Sequence, residues 1–147
     1  MLSNLITSLC EFLSVDGIES DSDGVFDIVF DGGLNVSFAA LSRSQVLIRS
    51  ELATLPVDAD ERETVLRDYL QANMLLLKDQ QNSLSLDTEA GKIWLYRIVL
   101  ADRISVHDFS ELLSVFVVTL EWWQGRGPSS IASTSAMDLM PHNFIRP

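Results

Sequence analysis

The change of hydrophobic period at Val25 constrains this chain more than any other feature. Before it, Leu2, Leu5, Ile6, Leu9 and Leu13 recur at helical spacing, with Phe12 beside them and Asn4, Ser8 and Glu11 elsewhere on the wheel. This reads as an amphipathic helix over about residues 2–14. From Val25 the period is two: Phe26, Ile28 and Phe30 face one way and Asp27 the other. After Asp31-Gly32-Gly33, a hairpin turn, Leu34, Val36 and Phe38 alternate with Asn35 and Ser37, and a third strand follows from Gln45 to Leu52. Alternation of this kind means an antiparallel meander with one covered face.

Pro56 ends the strand region, and Asp60-Glu61-Arg62-Glu63 has the spacing of a helix start. Its stripe is Val65, Leu66, Tyr69, Leu70 and Asn73, leading into Met74-Leu75-Leu76-Leu77. Ser83-Leu84-Ser85-Leu86, a turn through Asp87 to Gly91, and Lys92 to Leu100 form a second hairpin. Its longer strand, apolar on both faces, belongs at the centre of a sheet or at an interface. Ser105-Val106-His107-Asp108 opens a last helix striped by Phe109, Leu112, Leu113, Phe116, Val117 and Leu120, with Gly125 as its stop. The order α-β-β-β-α-β-β-α predicts an α+β fold, an antiparallel twisted sheet flanked by helices. It divides the chain into a folded region, 1–124, and a C-terminal tail without periodicity, 125–147, expected to be flexible.

Composition then narrows the function. The 147 residues suit one domain, and ten Lys and Arg against 21 Asp and Glu give a net charge of −11. Such a field repels phosphate backbones and anionic lipid, so neither nucleic acid nor a membrane is an expected partner. One cysteine, Cys10, excludes an internal disulfide and a multi-thiolate metal site, and two histidines, His107 and His142, leave little for zinc. No stretch is long and apolar enough to span a membrane. The N-terminus lacks a basic n-region and carries Glu11 among its apolar residues, which argues against a secretion signal and for a cytoplasmic protein. Residues 1–31 hold seven carboxylates and no Lys or Arg. Their spacing between Asp16 and Gly24 does not match an EF-hand, and a solvated acidic loop is the simpler reading.

Catalytic constellations are missing from the sequence. It has no G-x-S-x-G elbow, no glycine-rich phosphate loop and no H-E-x-x-H. Cys10 sits beside the apolar stripe of the first helix as a packing residue, and His107 lies in the first turn of the last helix. Paired acids such as Asp58/Asp60 and Glu61/Glu63 suit a helix N-terminus. No enzyme, no cofactor and no metal are therefore expected. What remains is a binding protein whose first helix, two-faced strand 93–100 and Trp122-Trp123 end offer more apolar surface than one small domain buries.

Residues 69–100 carry a further pattern. Tyr69-Leu70-Gln71-Ala72-Asn73-Met74-Leu75, a polar stretch, then Leu84-Ser85-Leu86-Asp87-Thr88-Glu89-Ala90-Gly91-Lys92-Ile93-Trp94-Leu95 resembles the signature of the CesT/Tir-chaperone family of type III secretion chaperones. Element order, length, acidity and the amphipathic first helix agree with that family over residues 1–124. Gln80-Gln81-Asn82 stands where the family often has glycines, and Met74 where it usually has Leu. The resemblance implies a homodimeric, ATP-independent chaperone in the cytoplasm of a Gram-negative bacterium. Its partner would be the N-terminal, non-globular chaperone-binding segment of one or a few effector proteins. On this reading Leu5, Leu9, Phe12, Val36 and Phe38 line the effector groove, and Leu66, Tyr69, Leu70, Asn73 and Trp94 form the dimer interface. The alternatives are a regulatory or sensory protein-binding module on the same fold with no secretion role, and a small enzyme using acidic residues.

Overall fold

The structure, a computed structural model, describes residues 1–76 and 81–126. Three helices and five strands follow in the expected order: α1 (Leu2–Leu13), β1 (Phe26–Phe30), β2 (Leu34–Ala40), β3 (Gln45–Thr54), α2 (Ala59–Leu76), β4 (Ser83–Asp87), β5 (Lys92–Leu100) and α3 (Val106–Arg126). The strands form one antiparallel sheet in the order β1-β2-β3-β5-β4, so β5 is an interior strand, one of the two placements its two-faced sequence allows, and β1 and β4 are the edges. α3 runs two residues into the stretch read as a tail (125–147); residues 127–147 lie outside the described part.

Two compact units divide the chain, Met1–Ser50 with Tyr96–Val118, and Glu51–Leu95 with Thr119 onward. In the first, the β1–β2 register pairs Phe26 with Phe38, Ile28 with Val36 and Phe30 with Leu34. Three residues, Asp31 to Gly33, are left for the turn. Gly32 and Gly33 sit at φ 84° and 77°, where a side chain would be strained, which is why the hairpin needs that pair. β2 continues onto β3 with Phe38 opposite Ile48 and Ala40 opposite Val46. Leu9 from α1, Val36 and Phe38 from β2, Val46 and Ile48 from β3, and Phe109 and Phe116 from α3 have no accessible surface and fill this unit's core. The Phe38 and Phe109 rings meet with centroids 6.1 Å apart. Ser50, buried among them, donates its hydroxyl to the Asn35 carbonyl at 2.6 Å, so its burial leaves no lost hydrogen bond. α1 stops at Ser14, which takes the left-handed conformation and caps the last turn through its backbone N–H.

In the second unit α2 starts at Ala59, one residue before the Asp60 read as its opening. Asp58 Oδ1 accepts from the backbone N–H of Asp60 at 3.1 Å and of Glu61 at 3.0 Å, satisfying two donors the helix leaves unpaired. Arg62 donates to the carbonyls of Pro56 and Val57, strapping the incoming loop to the first turn. At the β4–β5 turn Asp87 Oδ1 accepts from the N–H groups of Glu89 and Ala90 while Gly91 adopts φ 64°. The Asp and Gly of the sequence signature are thus the two residues the turn geometry demands. Tyr69 of α2 stacks on Trp123 of α3 with centroids 5.7 Å apart, and Trp122 meets Trp123 edge-on. Burial pushes the Tyr69 phenol above its ordinary pKa. The last helix opens as read: Ser105 Oγ accepts from the Asp108 N–H at 3.0 Å and donates to the Asp108 carboxylate.

Candidate functional site

No group of three or more potential metal-ligating side chains gathers among the described residues, and none of the described helices is long and apolar enough to cross a membrane. What the first unit does carry is an apolar groove beside a sheet edge. Leu13 at the end of α1, Phe30 at the end of β1, and Leu113, Val117 and Val118 on α3 line a hollow of about 240 Å³. Its two serines do not make it polar: Ser114 Oγ turns back to donate to the Ser110 carbonyl of its own helix at 3.0 Å. Next to the lining residues in sequence, Phe12 is 52% exposed and Val29 is 69% exposed, and Val15 is exposed as well. Phe12 meets the imidazole of His107 edge-on, and His107 Nε2 stands 3.4 Å from Glu111.

β1 closes the sheet on this side, and among the described residues no strand pairs with its outer flank. Alternate N–H and C=O groups of an edge strand face away from its neighbour and remain available to another chain. The sequence leading into and through this edge carries charge of one sign. Glu11, Asp16, Glu19, Asp21, Asp23, Asp27 and Asp31 are all exposed, and the first basic side chain in the sequence is Arg43. The loop before β1 is ordered by Asp21, whose Oδ1 accepts from the N–H groups of Asp23 and Val25, both at 2.9 Å.

The residues expected to line a groove fall into two groups. Leu9, Val36 and Phe38 are fully buried and Leu5 is nearly so, which makes them the floor that holds α1, β1 and β2 in place. Phe12 is at the surface. Leu13 and Val117 enter the sequence reading only as members of helical stripes and Val118 not at all, while Val29, beside Phe30 on β1, carries a signal of its own: it is an apolar residue at a position where the alternation calls for a polar one.

The residues expected at a dimer interface also divide. Tyr69 is committed to Trp123, and Leu66, Asn73 and Trp94 are half-buried. Leu70 is 62% exposed, and Met74, one turn further along the same helix face, is 70% exposed. α2 therefore presents an outward apolar ridge within the second unit. A second hollow of about 380 Å³, lined among others by Leu55, Val57, Leu66 and Leu86, lies beside the start of that helix.

Solved structures share this fold. A chain of the ExsC–ExsE complex superposes with a TM-score of 0.68 at 20% identity, over 86% of this chain and 93% of that one. A chain of the HopA1–SchA chaperone–effector complex gives 0.64 at 15% identity, over 84% and 93%. The Yersinia pestis type III secretion chaperone SycH, in complex with a stable fragment of YscM2, gives 0.59 at 16% identity, over 82% and 97%. No curated protein matches the chain by sequence. The profile of the Tir chaperone protein (CesT) family matches residues 4–124, nearly all of the described chain. With its element order, its Asp87–Gly91 turn and its sheet accounted for, the chain belongs to the CesT family.

Proposed function

We propose that this protein is a type III secretion chaperone that binds the N-terminal chaperone-binding segment of one or a few effector proteins and keeps it extended, without ATP and without catalysis. Supporting this reading beyond family membership is one observation: the first unit leaves an apolar groove open beside an unpaired edge strand. An extended guest can add its backbone to such an edge and place alternate side chains in the groove. A non-globular segment can offer a free backbone and alternate side chains together, which suits an open edge and an apolar groove side by side. Nothing here needs a nucleotide, because the ordering cost of the guest is offset by apolar area removed from water. Phe12, with Leu13, Val117 and Val118, would touch the guest, while Leu5, Leu9, Val36 and Phe38 hold that surface from beneath.

The working form would be a cytoplasmic homodimer in a Gram-negative bacterium. The Leu70–Met74 ridge, with Leu66, Asn73 and Trp94 around it and Tyr69 bracing it from inside, is the surface a second copy would cover. Its acidic charge would keep dimers apart and favour a basic guest.

The test uses two surface aspartates. Phe12→Asp with Val118→Asp lies on exposed positions, so the variant should fold and dimerise like the parent. It should lose the aggregation-prone partner that the parent co-purifies, a partner whose N-terminal region alone is enough for binding. Retention of that partner by the folded variant would remove the groove from the proposal. Aspartates at Leu5 and Leu9 would not serve, since both side chains belong to the core.

A further inference from the structure

We propose that the segment taken up along β1 carries a Lys or Arg two residues from an aliphatic side chain, and that Asp27 and Val29 read that pair. This rests on the groove reading above and adds the chemistry of the guest. β1 turns Phe26, Ile28 and Phe30 toward the helices, Phe30 reaching the groove, and turns Asp27 and Val29 to the opposite face. Both of these are exposed. A strand hydrogen-bonded to the outer flank of β1 sets two of its own residues, two apart on one face, directly opposite Asp27 and Val29. Side chains so placed lie within about 4.5–5.5 Å at Cβ, close enough for a charge pair and an aliphatic pair. The guest residue between them turns to the other face with Ile28, and the next inward residue falls beside Phe30 and the groove. The recognised unit is therefore a cation, an apolar residue and an aliphatic residue in succession, with a further apolar residue at the groove.

Two observations select a cation, and a third selects the aliphatic side chain beside it. Asp27 is paired in register with Ser37 on β2, and the Ser37 hydroxyl donates to Asp27 Oδ1, which orients the carboxylate without neutralising it. Six more exposed carboxylates lie between Glu11 and Asp31, a stretch that holds no Lys or Arg, and the cation nearest to Asp27 in register is Arg49, one strand beyond Ser37. Val29 leaves apolar surface in water that only an apolar neighbour would cover. A second copy of this chain is a poor occupant, since its own β1 would bring the same carboxylates against these. An acidic segment is excluded for the same reason.

The experiment selects random dodecapeptides displayed on phage against the full-length protein, in parallel with its Asp27→Lys and Asp27→Asn variants. Against the parent, the enriched sequences should carry Lys or Arg two positions from Val, Ile or Leu. Asp27→Lys should shift that position to Asp or Glu, and the best parent-selected peptide should bind Asp27→Lys weaker by about fivefold or more. Asp27→Asn, which keeps the Ser37 hydrogen bond, should weaken the peptide and flatten its salt dependence. An identical consensus on all three proteins, or no enrichment on any of them, overturns the proposal. If peptides bind and ignore Asp27 yet are lost from the Phe12→Asp, Val118→Asp variant, the cation rule fails while the groove stands. If they survive that variant, the groove reading fails with it.

Discussion

In the first unit, seven residues from α1, β2, β3 and α3 have no accessible surface, and the apolar side chains at its rim gather into a bounded groove. The second unit is built differently. Of α2, which runs from Ala59 to Leu76, only Tyr69 and Ala72 are buried among the residues up to Met74, and Val57 just before the helix is 91% exposed. Its buried set includes the polar Asn82 and Thr119, whose side chains stand 3.4 Å apart, and its inner face relies on the Tyr69–Trp123 stack. One unit thus finishes its core within the chain and keeps a defined hollow at its edge. The other leaves the outward face of a helix apolar, and its own hollow is lined in part by Thr54, Arg62, Thr88 and Glu89 rather than by apolar side chains alone. A hollow suits a guest that comes and goes, whereas a convex ridge suits a permanent cover. That difference is the physical basis for placing the guest on the first unit and the second copy on the other.

The comparison breaks most visibly in the cores. Phe38→Ala removes a fully buried ring that packs on Phe109 and should cost about 3–5 kcal/mol, measured as the shift in urea unfolding. Leu70→Ala, at an exposed position, should cost the isolated subunit well under about 1 kcal/mol. Equal losses at the two sites would show that the ridge is internal packing rather than an interface. The ridge itself is tested by Leu70→Glu with Met74→Glu, two like charges one turn apart on the same face. Sedimentation should show the parent as a dimer and this variant as a folded monomer. A parent that sediments as a monomer at high concentration would remove the second copy from the proposal.

Smaller effects separate the helix starts. Asp58→Ala removes the acceptor for two N–H groups of α2 and Ser105→Ala the one for α3, each worth about 1 kcal/mol. Because α2 is the less covered helix, the first change should also raise amide exchange over the following turns more than the second does.

Where every second residue is apolar, as at Phe26, Ile28 and Phe30 on β1 and Leu34, Val36 and Phe38 on β2, the sequence already contained the register: a slip of one residue would have sent Phe26 and Val36 into water. Trp94, Tyr96 and Ile98 interleave with Ile93, Leu95 and Val99, which places β5 either inside the sheet or at an interface, and the strand order makes it an interior strand beside β4. The start of α2 was less legible. Asp58, Asp60 and Glu61 are all plausible there, and only the position of the Asp58 carboxylate over two N–H groups decides among them. The site was legible in type more than in residue. Helical spacing shows that Leu5, Leu9 and Phe12 share a stripe, but not that the stripe is covered up to Cys10 and open from Glu11 onward. The part played by Val117 and Val118 depends on where α3 lies across the end of β1, which no local pattern encodes.

The smallest expected effect bears on how firmly the second unit holds its Tyr69–Trp123 stack. Burial raises the Tyr69 pKa, so the folded state keeps the phenol neutral at a pH where the unfolded chain has begun to ionise it. Up to about pH 10, the ordinary tyrosine value, both states hold the proton and stability does not depend on this group. Above it the unfolded state binds fewer protons, and stability falls as pH rises toward the folded pKa. Denaturant midpoints between pH 9 and about 11 should therefore drop for the parent more steeply than for Tyr69→Phe, which keeps the ring on Trp123 but has no proton to lose. Absorbance at the phenolate band should show a late-titrating step, and that step should vanish in Tyr69→Phe. Parallel midpoint curves for the two proteins would mean that the stack opens readily to water, and the second unit would then be loose inside as well as uncovered outside.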